Sequence, residues 1–260
     1  MFEKVIEFIA PKDYVIKKQD LPTPIKINVP DWYKKLTHAE EHRTIKGCIP
    51  FLETLTFGYC LYVPVDLKIQ HNVTVKDQEG KEKQDSLFGC PLGRSAYDHG
   101  ININYNGPGQ STHGISQLEG SPFVNKNKNL PFYKIYNPWI IKTPPGYSCL
   151  FVPPLNNADD RFNIIPGIVD TDSFNSEINF PIIINGDKYE VLDTIIKKGT
   201  PYVQIIPFKR DNWKMKISSS NVARNSISKS LYPLRFIHNY KKDIWKKNIA
   251  SKSLRRRPIC

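Results

Sequence analysis

Two aspartates one residue apart, Asp170 and Asp172, close the apolar run PGIVDTD at residues 166–172. Carboxylates at that position have two uses. In a polar site, one of them can orient a water or take a proton. At a plain strand end they accept backbone N–H groups in the turn that follows. Gln204 is open to the same two readings, since it sits among apolar residues in VQII and can bond a ligand or a strand edge.

The other reactive residue types are scattered. His38 and His42 are four apart and would share one face of a helix starting at Asp31, a spacing that can hold a metal. No third ligand lies near, so an exposed helix face is expected and no metal site is assigned. His99 and His113 fall in a polar stretch near Asp98 without an H-x-D pattern, and NYNGPGQSTHG lacks the lysine of a phosphate loop. The five cysteines (Cys48, Cys60, Cys90, Cys149 and Cys260) form no CxxC pair, which reads as reduced intracellular thiols.

Charge divides the chain. Residues 209–260 carry fifteen Lys and Arg against Asp211 and Asp243, whereas residues 1–208 carry 22 bases against 23 acids. The basic end concentrates Lys241, Lys242, Trp245, Lys246, Lys247, Arg255, Arg256 and Arg257. Such a segment can neutralise nucleic-acid phosphates, dock on an acidic protein, or stand as a solvated tail. No run nears the roughly 18 apolar residues of a membrane span, and the first residues do not read as a secretory signal. A cytoplasmic protein with no membrane partner is expected, in the host cytoplasm or virion if viral.

Positioning these groups falls to β-strands. Twenty-one prolines and short β-branched or aromatic runs argue against a helical body. Strands are expected in VIEFIAPKDYVIKK, in CLYVPVDLKIQ (alternating from Leu61 to Ile69), on either side of a PPG turn at Pro145–Gly146, and in GIVDTD, INFPIII, YEVL and PYVQIIPF. A hairpin is expected about Glu79–Gly80. Residues 87–129 read as long polar loops, and the pattern after Trp213 is partly helical. Three parts follow: an N-terminal extension (1–46), a β core (47–208) with an insertion at about 70–135, and a basic C-terminal extension (209–260).

Four pieces of the core stand in a familiar order: TFGYCLYVPVDLKI, WIIKTPPGYSCLFVPPL, PGIVDTDSFNSEINF and IIKKGTPYVQIIPF. Together they resemble the dUTPase and dCTP-deaminase superfamily over about half of the chain. The chain also resembles an uncharacterised domain family common in phage genomes. The resemblance implies a β-clip or distorted-barrel fold, usually trimeric, with Asp170 orienting the attacking water. It further implies an acid–base role for Glu177, ligand contacts from Tyr59, Asp172 and Gln204, and Mg²⁺ only if nucleotide hydrolysis survives.

Departures from the motifs weigh against catalysis. Cys60 stands where the first motif has an aspartate, and a thiol is a poor Mg²⁺ ligand. Pro153, Pro154, Leu155, Asn156 and Asn157 stand where the family supplies an arginine and hydroxyls to phosphates. The expectation is a degenerate, non-catalytic binding or assembly protein, homo-oligomeric and of viral origin. The alternatives are a divergent nucleotide hydrolase or deaminase, and a nucleic-acid accessory protein gripping through its basic tail.

Overall fold

The computed structural model describes residues 4–10, 21–39, 41–64, 66–76, 78–80, 82–89, 115–123, 132–135, 137–157 and 159–219. These residues are mainly β. The strands are β1 (Glu7–Ile9), β2 (Thr23–Pro24), β3 (Tyr59–Tyr62), β4 (Leu67–Lys76), β5 (Glu82–Gly89), β6 (Tyr133–Ile135), β7 (Ile140–Lys142), β8 (Tyr147–Val152), β9 (Phe162–Ile164), β10 (Gly167–Val169), β11 (Phe180–Ile184), β12 (Val191–Ile196) and β13 (Pro201–Lys209). Two helices join them, α1 (Asp31–Lys35) and α2 (Ile49–Thr56).

The chain forms two compact units, Met1–Pro30 with Leu55–Asp211, and Asp31–Thr54 with Asn212–Cys260. In the first, antiparallel strands make four small sheets, ordered β1-β7, β10-β8-β13-β3-β2, β6-β11-β9 and β12-β4-β5. Alternation explains how they share a core. Leu61, Leu67, Ile69, Ile135, Ile141, Phe151, Ile164, Ile182, Ile196 and Ile205 point inward from strands of all four sheets. Phe151 packs tilted against Phe180 at 5.4 Å between ring centres, and Phe180 meets Tyr202 edge-to-face at 5.7 Å. Glu7–Ile9 and Thr23–Pro24 are tied into this unit, since β1 pairs with β7 and β2 with β3.

In the second unit Tyr33 is buried, with its ring stacked on Phe51 at 5.8 Å. Lys46 Nζ donates to the carbonyls of Lys34 (2.9 Å) and Leu36 (2.8 Å), placing a cation at the end of α1. There the helix stops after five residues. His38 Nδ1 accepts the Thr44 N–H at 3.0 Å, and the Thr44 hydroxyl bonds the Thr37 carbonyl at 2.8 Å. The expected helical face bearing His38 and His42 therefore does not exist: a loop closed by side-chain bonds replaces it.

Other differences have similar local causes. CLYVPVDLKIQ is two strands rather than one, since Pro64 has no N–H to donate and Val63 bonds Thr200 and Gly199 instead. Helix α2 was not expected; it tolerates Pro50 because the first turn needs no N–H there. The PPG turn is present, with Tyr147 N–H on the Pro144 carbonyl at 3.2 Å and Gly146 at φ +82°. Its two flanking strands do not pair with each other, for β7 joins β1 and β8 joins β10 and β13. The expected β4–β5 hairpin forms with Gly80 at φ +78°. No described helix is long and apolar enough to cross a membrane.

Candidate functional site

The four motif segments meet in one sheet. Strands β10, β8, β13 and β3 are hydrogen-bonded neighbours, with Val169 opposite Cys149 and Lys209 opposite Tyr147. This register brings the end of β10, the start of β8 and the end of β13 to one rim, where Asp170, Ser148 and Arg210 come together.

Ser148, itself buried, donates from Oγ to Asp170 Oδ1 at 2.6 Å. Arg210 Nη1 also reaches Asp170 Oδ1, at 2.9 Å, and lies 3.0 Å from the Ser148 Oγ. The same guanidinium spans Asp172, with Nη1 on Oδ1 at 3.0 Å and Nη2 on Oδ2. Asp172 Oδ2 further accepts the Gly146 N–H at 2.8 Å, and the Arg210 N–H bonds the Gly146 carbonyl at 2.8 Å. Beneath them Thr143 and Thr171 share a hydroxyl hydrogen bond of 2.7 Å.

Electrostatics follow from these partners. The Ser148 hydroxyl, then the Arg210 guanidinium, hold the Asp170 carboxyl below its usual range. Arg210, then the Gly146 N–H, do the same for Asp172. Both stay ionised at neutral pH and are weak bases, whereas an efficient general base titrates near the working pH. Asp172 is nearly covered, with its side chain 10% exposed, while that of Asp170 is 59% exposed.

The remaining sequence candidates are not gathered here. Gln204 is fully buried; its Oε1 accepts the Leu155 N–H at 2.9 Å and its Nε2 donates to the Phe57 carbonyl at 2.8 Å. It cross-links two loops, so both ends of the amide expected to meet a ligand are held by main chain. Six strand residues at ~3.3 Å each place it about 20 Å along the sheet from Arg210. Tyr59 lies opposite Ile205, half-buried, its ring edge-on to Phe8 at 5.7 Å. Glu177 is exposed in the loop after Asp172 and makes no hydrogen bond to a described residue. Lys241, Lys242, Trp245, Lys246, Lys247, Arg255, Arg256 and Arg257 lie outside the described residues, as does most of the polar insertion.

No family model matches the chain, and no curated protein matches it. Among solved structures it is similar to a mutant dUTPase from phage phi11 of S. aureus, at 14% identity over 35% of this chain and 74% of that one. The TM-score is 0.26, and at that value the likeness carries no weight for fold or activity.

Mg²⁺ does not suit the residues present. Cys60 is fully buried and its thiol is pushed up to about 12 by that burial, so it offers no oxygen ligand. Asp170 and Asp172 already face a guanidinium, and among the described residues no three His, Cys, Asp or Glu group to hold a metal. Sequence reasoning missed Arg210 and Ser148. Arg210 was counted with the basic extension, and only the need of a D-x-D pair for a counter-charge hinted at it.

A separate cleft of about 290 Å³ opens beside Pro153, Pro154, Leu155, Phe162, Pro201 and Tyr202. Asp159 and Asp160 also line it, but each is engaged. Asp159 takes Arg161 Nε at 2.9 Å and Nη2 at 2.7 Å, and Asp160 takes the Tyr189 hydroxyl at 2.6 Å together with Lys188. The carboxylate pair at the rim does not line this cleft.

Proposed function

We propose that this chain is a non-catalytic binding or assembly protein built on a dUTPase-like β core. The observation that carries the reading is Arg210, a cation of the same chain seated on both carboxylates of the D-x-D pair. In a working phosphate-transfer site those charges would serve metal, water or substrate. Here they close a strand-end turn. The convergence of the four motif segments in one sheet supports the dUTPase-like core, and the buried Cys60 and committed Gln204 support the loss of chemistry.

The test combines binding, turnover and mass. Thermal melts with dUTP, dCTP and other deoxynucleotides plus Mg²⁺ should show no shift, and no pyrophosphate or ammonia should be released. Light scattering should return a multiple of the 30.0 kDa chain. A ligand at 100 times its Kd would add about 2.7 kcal/mol of stability and raise the melting temperature visibly. Such a shift with turnover would replace this reading with a divergent hydrolase or deaminase.

A further inference from the structure

All of the chain's net charge lies past the last strand. Residues 1–211 hold 24 Lys and Arg against 24 Asp and Glu, while residues 212–260 hold thirteen Lys and Arg against the single Asp243. An excess this concentrated is built to meet an anionic partner. The described start of the segment is bare. Residues 212–219 follow β13 without secondary structure. Trp213 is 90% exposed, Lys214 and Lys216 are exposed as well, and none of the three makes a hydrogen bond, ion pair or ring contact to a described residue. Lys209 and Arg210 just before them are committed, to Asp211 and to the Asp170–Asp172 pair. The uncommitted cations therefore begin at Lys214.

A bare indole beside two uncommitted ammonium groups suits a partner that offers a flat apolar face and negative charge together. The sequence repeats the pairing of an aromatic ring with a lysine directly after it. Tyr240-Lys241-Lys242 and Trp245-Lys246-Lys247, which lie outside the described residues, match Trp213-Lys214 in this respect. A single nucleic-acid strand answers both parts: its bases stack on rings, and the flanking phosphates take the cations. An acidic protein surface answers the charge but presents no row of flat faces to the rings. A duplex keeps its bases stacked on one another.

We propose that residues 212–260 bind single-stranded nucleic acid, with Trp213 stacked on a base and Lys214 and Lys216 on the phosphates beside it. The inference rests on the binding part of the proposed function, whose partner it names. It asks nothing of the Asp170–Asp172 rim.

Fluorescence anisotropy of a labelled oligothymidylate titrated with the full chain tests it. With about five phosphates neutralised, log K should fall with log salt at a slope near −3.5, a loss of roughly a hundredfold between 50 and 200 mM. Trp213→Ala should weaken binding about tenfold at an unchanged slope. The double variant Lys214→Gln/Lys216→Gln should flatten the slope by about 1.4. All three positions are exposed, so the variants should melt at the wild-type temperature. A duplex should bind more weakly than the single strand and should not respond to Trp213→Ala. No binding at 50 mM salt, a Trp213→Ala chain that binds as tightly as the wild type, or a duplex held as tightly as the single strand overturns the inference. Equal competition by polyglutamate of matched charge overturns it in favour of an acidic protein partner. Turnover of a deoxynucleotide would instead overturn the non-catalytic reading of the core and leave strand binding by residues 212–260 in place.

Discussion

Arg210 lies bidentate across the Asp172 carboxylate, one guanidinium nitrogen on each oxygen. Arg210 is the first residue past β13 and Asp172 the third past β10, so the pair ties together two strands that are separated in the sheet by β8. A planar fork suits that task, and a lysine, with its single charged nitrogen, cannot span both oxygens. Arg210→Lys should therefore lower the melting temperature nearly as far as Arg210→Ala, although it keeps the charge. Equal melting of wild type and Arg210→Lys would mean that charge alone holds the rim.

The depressed carboxyls fix a pH dependence. Their folded pKa values lie below the ordinary ~3.9 of an aspartate, so their contribution is complete above about pH 5 and is lost as pH falls through the folded values. The wild type should melt at a near-constant temperature from pH 7 to 5 and progressively lower beneath pH 4. The double variant Asp170→Asn/Asp172→Asn should melt lower at pH 7 and decline less steeply in acid. Asp31, Asp66, Asp159 and Asp160 are depressed too, so the acid slope should shrink without vanishing. Calorimetry across that range reads the difference.

Gln204 offers a test of structure against ligand contact. Replacing it with alanine removes the acceptor of the Leu155 N–H and the donor to the Phe57 carbonyl. An unsatisfied buried polar group costs about 1–3 kcal/mol, and these loops are partly exposed, so a total near that range is expected. Urea unfolding should show a lower midpoint at an unchanged slope. A Gln204→Ala protein of wild-type stability would return this residue to the ligand candidates.

How much of this was legible depends on the range of the interaction. The short β-branched and aromatic runs of INFPIII and PYVQIIPF, and the glycine of the PPG turn, act within a few residues, and β11, β13 and the turn appear as expected. GIVDTD was readable as a strand passing into a polar turn. That Arg210 answers its aspartates was not, because the answer needs the order β10-β8-β13, a long-range outcome. The same limit hid the separation of Gln204 from Asp170. The early end of α1 and the lost histidine face depend on Thr44 and Lys46 folding back, which no helical period reveals.

Burial makes two thiols inert. Cys60 is pushed up to about 12, and Cys149 is also raised, in both cases chiefly by desolvation of the thiolate. Native protein treated with N-ethylmaleimide at pH 7.5 should remain unlabelled at both positions while the half-buried Cys48 reacts. Denaturant should expose all three. Rapid native labelling of Cys60, read by peptide mass spectrometry, would place β3 at the surface and undo the sheet order described above.

Two glycines with the same backbone sign should respond very differently to alanine. Gly146 has φ +82° with open space where a Cβ would stand, so its substitution meets only the left-handed penalty of roughly 1–2 kcal/mol. Gly58 has φ +88°, and a Cβ there would lie 2.1 Å from the Ile205 carbonyl oxygen, a main-chain atom that cannot step aside. Its own carbonyl also accepts the Ile25 N–H at 3.0 Å, so a shift of residue 58 disturbs the approach to β2 as well. Gly58→Ala should incur the left-handed penalty and lose the β3–β13 register as well, unfolding at markedly lower denaturant than Gly146→Ala or failing to accumulate folded. Should the two variants unfold at the same urea concentration, the close passage of β3 over Ile205 would be wrong, and with it the place of the first motif beside the last.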